Sequence, residues 1–288
     1  MKPFRIISSC LSLSWLQPAK LTAISALLLL FSTLTVSEAI IVRHDVGADA
    51  YVVESVDYPS LFYLERQGAR RVCAATVIHR QWAITAAHCL EETLLGATLA
   101  QQRRFGVQLV TGTREIDLAI VHPDYDQSAA SDVDLALLRF REESAMPRPM
   151  NLYTRNDEVG RVAELLGWGF TGLGTTGRQY DDGRLRRALN RIEQSDARLR
   201  LRFDDPREPA EDALSLEGTL GLGDSGGPAL IADGGSYLLA GVAIGEVQSE
   251  NYSEERQGQY VAIAIYERVS RHIDWIEAVV GESLPFES

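Results

Sequence analysis

From residue 40 onward the sequence is a succession of short apolar runs separated by Gly, Pro, Asp and Asn. Runs such as AYVVESV, RRVCAATVI, IDLAIV, DLALLRF and YLLAGVAIG are rich in Val, Ile, Leu, Tyr and Ala and have the length of strands. Few windows keep the 3.6-residue period of an amphipathic helix. Because many short strands with turn signals between them are typical of barrels and sandwiches, the pattern predicts an all-β fold.

Three windows allow more local predictions. ALIADGGSYLLAGVAIG, at 229–245, has two apolar runs around Gly-Gly and predicts a β-hairpin. The stretches 168–184 and 202–219 are rich in Gly, Pro or charge and are expected to be loops. Near the end of the chain, 268–281 predicts a helix capped by Gly281. The residues that share its apolar face are Val269, Ile273, Ile276, Val279 and Val280.

The first 39 residues read as a targeting segment. Basic residues precede an apolar run at 21–36, and Ser37-Glu38-Ala39 then offers small residues to a signal peptidase. We expect 1–39 to be a signal peptide and 40–288 to form the exported domain, which is then secreted or periplasmic. The alternative is an uncleaved membrane anchor, for which 16 apolar residues are short of the ~20 that a span needs.

The net charge of the chain limits the kinds of molecule that it is expected to bind. Without the three basic residues and one acid of the first segment, the chain carries 25 basic residues, all arginine, and 39 acidic ones, a net charge of −14. This balance argues against a nucleic-acid binder. GLGTTG at 172–177 fits the dinucleotide pattern GxGxxG, but no helix opens after it, so a loop is expected. We expect no cofactor and no metal.

Two cysteines remain outside the targeting segment, which contains Cys10. Cys73 and Cys89 are 16 residues apart. In an exported chain such a pair indicates a disulfide, and the spacing does not suit a zinc site.

Ser225 lies in GLGDSGGPAL, residues 221–230. GDSGG formally fits the G-x-S-x-G elbow of α/β-hydrolases, but that fold needs a helix directly after the serine. Gly226, Gly227 and Pro228 follow instead, which disfavours a helix. An α/β-hydrolase esterase is therefore a weaker interpretation, although His272 follows the serine as that chain order requires.

A serine hydroxyl becomes a strong nucleophile when a histidine takes its proton and a carboxylate orients that histidine. His88 stands in WAITAAHC, next to Cys89. Asp134 opens the apolar run DLALLRF, where an unpaired carboxylate would be costly to bury. An imidazole partner would explain its presence there.

These stretches resemble the chymotrypsin/trypsin-like serine proteases, peptidase family S1. TAAHC at 85–89, DLALL at 134–138 and GDSGGP at 223–228 follow the family's order of His, Asp and Ser. HPDY at 122–125, GWG at 167–169 and YERVSRHIDWI at 266–276 extend the resemblance from about residue 40 to the end. It implies two six-stranded antiparallel β-barrels with a C-terminal helix, the sparse cysteines being typical of a bacterial secreted member.

The resemblance also implies a division of labour. Ser225 would attack a carbonyl, His88 would transfer the proton, and Asp134 would orient His88. The N–H groups of Gly223 and Ser225 would form the oxyanion hole. Asp224 would pair with the α-ammonium group of Ile40 after cleavage behind Ala39, with Ile41 as the alternative terminus.

Specificity follows from the same matching of residues. Thr219 would lie at the base of the primary pocket, with Leu220 beside it and with Gly245 and Ala264 on its walls. Because Thr219 is neutral, we expect cleavage after an uncharged, apolar residue. The partners implied are a polypeptide substrate and a protein inhibitor. A protease-like protein that binds without cutting is the alternative from another class, but such proteins usually lack a triad residue.

Overall fold

Strands of the first half of the chain close into a barrel. The computed structural model describes residues 40–126, 133–209, 212–247, 253–281 and 284. Its first strands are β1 (Ile40–Val42), β2 (Leu61–Gln67), β3 (Arg70–Val77), β4 (Trp82–Thr85), β5 (Phe105–Leu109), β6 (Gly112–Val121) and β7 (Ala136–Phe140). Strands β2 to β7 form one antiparallel sheet in the order β2-β3-β4-β7-β6-β5. The end strands β2 and β5 pack against each other, so the sheet curls into a barrel.

Strands of the second half close a second barrel. Its strands are β8 (Asn151–Leu152), β9 (Val162–Gly167), β10 (Thr171–Leu173), β11 (Gly177–Tyr180), β12 (Arg186–Ser195), β13 (Arg198–Arg202), β14 (Gly218–Thr219), β15 (Pro228–Asp233), β16 (Ser236–Glu246) and β17 (Ile263–Arg268). Six of them form an antiparallel ring in the order β15-β9-β12-β13-β17-β16, closed by the pairing of β15 with β16, and β8 joins β16 in parallel. The all-β prediction and the implied pair of six-stranded barrels are confirmed.

The predicted hairpin is β15–β16, and its turn residues Gly234 and Gly235 both have positive φ, at 56° and 88°. Those angles match the two-residue turns whose twist fits a hairpin. The expected loop at 168–184 instead contains β10 and β11. These strands form a small third sheet, β11-β10-β1-β14, in which the wholly buried β1 is a central strand. The loop prediction was wrong because a glycine-rich pattern hides strands whose stability comes from the neighbouring β1.

Helices are few in the described part of the chain. They are α1 (Cys89–Glu92), α2 (Leu94–Ala100) and α3 (Ile273–Val280), with 3₁₀ turns at Ala48–Tyr51, Ser55–Asp57, Glu254–Arg256 and Val269–Arg271. The predicted C-terminal helix is α3, which buries Ile276 and ends at Gly281 with φ of 85°. None of the described helices is both long and apolar enough to cross a membrane. The signal-peptide prediction concerns residues 1–39, outside the described residues.

Contacts between β3 and the turn around Ser225 connect the two barrels. The N–H of Cys73 donates to the carbonyl of Gly223 at 3.0 Å, and the N–H of Ala74 donates to the carbonyl of Ser225 at 2.7 Å. The predicted disulfide joins Cys73 to Cys89 and so ties β3 to the start of α1. Strand β3 is therefore linked both to the start of α1 and to the turn that contains Ser225.

Candidate active site

His88 and Asp134 meet because β4 and β7 are neighbours. Thr85 at the end of β4 pairs with Ala136 at the start of β7. The segment after β4, which contains His88, therefore lies beside the segment before β7, which contains Asp134. The Nδ1 atom of His88 is 2.5 Å from Oδ2 of Asp134, and the backbone N–H of His88 donates to Oδ1 at 2.9 Å. Both side chains are largely buried. This double contact fixes the ring and leaves Nε2 as the nitrogen not engaged by the carboxylate.

The environment of His88 raises the pKa of its imidazole. Burial lowers the pKa, because it disfavours the charged ring, but the hydrogen bond and negative charge of Asp134 outweigh that effect. Glu92 and Glu91 add to the increase. His88 therefore holds a proton more readily than a free histidine does.

A second buried carboxylate lies behind Asp134 and was not singled out from the sequence. Glu267 on β17 is 2% exposed and accepts a hydrogen bond from the backbone N–H of Asp134 at 3.2 Å. Nε of Arg198, on β13, lies 2.8 Å from Oε1 of Glu267, so the two side chains form an ion pair. Burial raises the pKa of Glu267, and the charge of Arg198 opposes that increase. Glu267 thus holds the backbone of Asp134 from the second barrel.

The turn around Ser225 requires glycine. Gly223 and Gly226 have φ of 100° and 77°, in the region that L side chains rarely adopt. A Cβ on Gly226 would lie 2.1 Å from the carbonyl oxygen of Ala74, so alanine could not fit. Ser225 itself is half-buried. Within the described residues, the N–H groups of Gly223 and Ser225 donate to no protein acceptor, so two donors remain available at the turn.

Asp224 points away from this turn, into the protein. It is fully buried and accepts hydrogen bonds from the backbone N–H groups of Gly169 at 2.6 Å and Gly221 at 2.8 Å. Burial raises the pKa of Asp224 to about 7, and the two hydrogen bonds only partly oppose the increase. In the described part of the chain no ion pair joins this carboxylate to a cation.

Ile40 lies close to the same segment. It is wholly buried in β1, and its carbonyl accepts a hydrogen bond from the hydroxyl of Thr171, two residues after Gly169. Its φ is 59°, a conformation that is costly for a β-branched residue. Ile40 and Asp224 therefore contact the two ends of one short segment, Gly169 to Thr171.

A cavity of about 240 Å³ opens beside Ser225. Of the predicted pocket residues, Leu220 and Gly245 line it, whereas Thr219 and Ala264 are fully buried and lie outside its lining. Thr219 pairs with Ile41 of β1, and Ala264 pairs with Glu246. The complete lining is Glu92, Leu220, Gly221, Leu222, Ser225, Ile244, Gly245, Glu246 and Gln257.

Glu246 is a lining residue that the sequence did not reveal. Its carboxylate accepts a hydrogen bond from the N–H of Gly258 at 2.8 Å, and burial raises the pKa to about 7. The position follows directly after Gly245, which was matched to a pocket wall, so a longer match could have included it. Below pH 7 the carboxyl of Glu246 is mostly protonated.

A cluster of metal-ligand residue types occurs near the cleft but has the wrong chemistry. Cys73, His88 and Cys89 lie within 4.8 Å of one another. Both sulfurs belong to the disulfide, whereas a metal binds the thiolate. The residues therefore do not fit a metal while the disulfide is intact.

Comparison with known families agrees with this architecture. The family model described as Trypsin matches residues 46–276, which is most of the chain. The chain belongs to the trypsin family. The sequence motifs predicted membership of this family of serine proteases.

Relatives of this trypsin-family chain occur in bacteria and animals. An uncharacterised peptidase of Corynebacterium glutamicum is 28% identical over 74% of this chain and 65% of its own length. Human granzyme M is 28% identical over 78% of this chain and 85% of its own length. The chain spans just under two thirds of the bacterial peptidase. Mouse neuropsin, a serine protease of solved structure, shares the fold with a TM-score of 0.58 and 19% identity, covering 80% of this chain and 98% of that one.

The environment of His88 predicts how its imidazole titrates. We expect a pKa above the ordinary 6.5 in the wild-type protein and a value below 6.5 in Asp134→Asn. The variant loses the negative charge that raises the pKa, whereas burial, which lowers it, remains. Ring resonances followed by NMR from pH 4 to 9, assigned with His88→Gln, measure both values. Glu142→Gln, at an exposed position away from the ring, serves as the control. An unchanged pKa in Asp134→Asn would contradict the assignment of its cause.

Proposed function

We propose that this trypsin-family chain is a secreted or periplasmic endopeptidase that uses Ser225 as nucleophile, His88 as general base and acid, and Asp134 to orient His88. It would hydrolyse polypeptides through an acyl-enzyme, after an uncharged residue. The observation that carries the proposal is the His88 ring, which is fixed through Nδ1 by a buried carboxylate. The Gly223–Ser225 turn, with its two available N–H donors, supports the same assignment.

The reaction uses each of these groups in turn. Nε2 of His88 accepts the proton of the Ser225 hydroxyl as Oγ forms a bond to the substrate carbonyl carbon. The N–H groups of Gly223 and Ser225 donate to the oxygen that becomes negative. His88 then gives the proton to the leaving nitrogen as the C–N bond breaks. Water repeats the sequence on the acyl-enzyme and releases the acid.

Activation would depend on a free amino group at Ile40. Cleavage after Ala39 would place an α-ammonium near the segment that already contacts Asp224, and a positive charge there would stabilise the buried carboxylate. Cleavage would also remove the preceding carbonyl that makes the positive φ of Ile40 costly. Removal of residues 1–39 during export would then order the Gly223–Ser225 turn.

The substrate pocket supports an uncharged residue before the scissile bond. Leu220 and Ile244 give the cavity apolar walls, and Thr219 behind it carries no charge. Glu246 is mostly protonated below pH 7, so the preference is strongest on the acidic side of neutrality. A protein inhibitor would occupy the same cleft.

Fluorophosphonate labelling tests the catalytic assignment. We expect the exported protein to be labelled at Ser225 alone, because only a serine activated by His88 attacks the probe. Ser225→Ala should lose the label, and Ser144→Ala, at a serine far from the cleft, should keep it. Mass spectrometry of the labelled peptide identifies the site. Labelling that persists in Ser225→Ala would overturn the nucleophile.

N-terminal sequencing and a charge variant test activation. We expect the labelled protein to begin at Ile40, or at Ile41 after trimming. Asp224→Asn should slow labelling about 100-fold or more, because a disordered turn loses its oxyanion donors. Asp212→Asn, at an exposed acid, is the matched control. A labelled protein that starts at neither isoleucine would exclude this activation route.

Profiling with a peptide library tests specificity. At pH 6 we expect cuts to follow apolar, uncharged residues, because Leu220 and Ile244 line the cavity and Glu246 is then mostly protonated. Mass spectrometry of the products gives the preference. A profile dominated by Arg or Lys would contradict it.

A further inference from the structure

A group of stacked arginine and aromatic side chains, here called the arginine platform, lies beside the Gly223–Ser225 turn. Its members come from β2, β3, the segment after β9, and β11. They are Tyr63, Arg70, Arg71, Trp168, Phe170 and Arg178. None of them lines the cavity beside Ser225.

Stacking fixes the directions of the three guanidinium groups. The guanidinium carbons of Arg70 and Arg178 are 5.4 Å and 5.1 Å from the centre of the Phe170 ring. That of Arg71 is 4.6 Å from the centre of the Tyr63 ring, which itself packs edge-on against Trp168 at 5.7 Å. Arginine side chains held in this way lose less freedom when they bind a ligand.

Backbone contacts place the platform next to the nucleophile. The N–H of Phe170 donates to the carbonyl of Leu222 at 2.7 Å. The carbonyl oxygen of Arg71 would lie 3.0 Å from a Cβ on Gly223. When the substrate residue before the scissile bond fills the cavity, the platform is available to contact the residues after the bond.

Two of the platform's arginines, Arg70 and Arg71, carry charge that no carboxylate in the described part of the chain pairs with. Among the described residues no ion pair joins either of them to an acid, and their buried Nε atoms have no hydrogen-bond partner. Nη1 of Arg71 donates to the carbonyl of Ala69 at 3.0 Å, which does not supply a counter-charge. Burial raises the pKa of the nearby Asp181, and the N–H of Gly183 together with the charges of Arg70 and Arg71 only partly opposes this. Asp182 forms an ion pair with Arg186, whose Nη1 lies 3.0 Å from Oδ1 of the aspartate. In a chain with a net charge of −12, this local excess of positive charge stands out.

We infer that the arginine platform binds a carboxylate side chain of the substrate on the leaving-group side, so that the enzyme prefers Asp or Glu shortly after the scissile bond. The inference rests on the proposed function, since it needs Ser225 to mark where the bond is cut. Planar guanidinium groups match carboxylates in geometry and bind them with charge-assisted hydrogen bonds.

Quenched-fluorescence peptides test this preference. Each peptide carries before the bond the residue that library profiling selects, and Asp, Asn or Lys at one of the first three positions after it. We expect kcat/KM for Asp to exceed that for Asn about five- to tenfold at one position at least, with Lys below Asn. The Asp/Asn ratio should fall when NaCl is raised from 50 to 500 mM, because salt screens exposed charges.

Variants locate the effect on the platform. The Arg70→Gln/Arg71→Gln double variant should bring the Asp/Asn ratio close to one. Arg66→Gln, which removes an exposed arginine on β2 outside the platform, should preserve the ratio. A ratio compares two substrates of one enzyme, so partial misfolding of a variant does not change it.

The outcomes separate the two proposals. Labelling of Ser225 together with an Asp/Asn ratio near one at all three positions overturns the platform and leaves the proposed function standing. A ratio that survives the double variant overturns the assignment to Arg70 and Arg71. Absence of labelling and of peptide cleavage overturns the proposed function and the inference with it.

Discussion

Two backbone hydrogen bonds, from Cys73 and Ala74 to the carbonyls of Gly223 and Ser225, hold the turn that contains Ser225 against the first barrel. The histidine and its carboxylate belong to that barrel, whereas the serine belongs to the second. These bonds act together with the hydrogen bond from the N–H of Asp134 to Glu267, which also joins the two barrels. Glycine at 226 is part of the same constraint, because any side chain there would meet the carbonyl of Ala74.

The second constraint is electrostatic. Full burial of Asp224 costs free energy unless a positive charge or several hydrogen bonds compensate it. Backbone N–H groups of Gly169 and Gly221 supply part of the compensation, but burial still raises the pKa of Asp224. In the activation proposed above, the α-ammonium group of Ile40 would supply the remaining compensation, next to the N–H groups of Gly223 and Ser225.

Sequence patterns predicted most of the architecture for local reasons. Strand-length apolar runs, the Gly-Gly hairpin and the capped helix α3 each depend on neighbours in the sequence, so they could be found without a structure. The meeting of His88 with Asp134 needed the resemblance, because it depends on the pairing of β4 with β7.

Features that depend on distant pairing escaped prediction. Strands β10 and β11 are short and glycine-rich, and they gain their order from β1, more than 120 residues earlier. Glu246 and Glu267 look like ordinary surface acids in the sequence, and only the register of β16 with β17 and the approach of Arg198 show their burial. The arginine platform gathers residues from four separate segments, so no single window contains its signal.

The disulfide between Cys73 and Cys89 also affects how the cleft is assembled. Cys89 follows His88 directly, and the N–H of Cys73 donates to the carbonyl of Gly223. One covalent bond therefore connects the segment of His88 to the strand that holds the turn of Ser225. A thiol reductant would break that connection while leaving every side chain of the cleft chemically unaltered. Redox conditions therefore act on the alignment of His88 with the Ser225 turn, and a chain kept reduced would have its cleft less firmly assembled than the oxidised one.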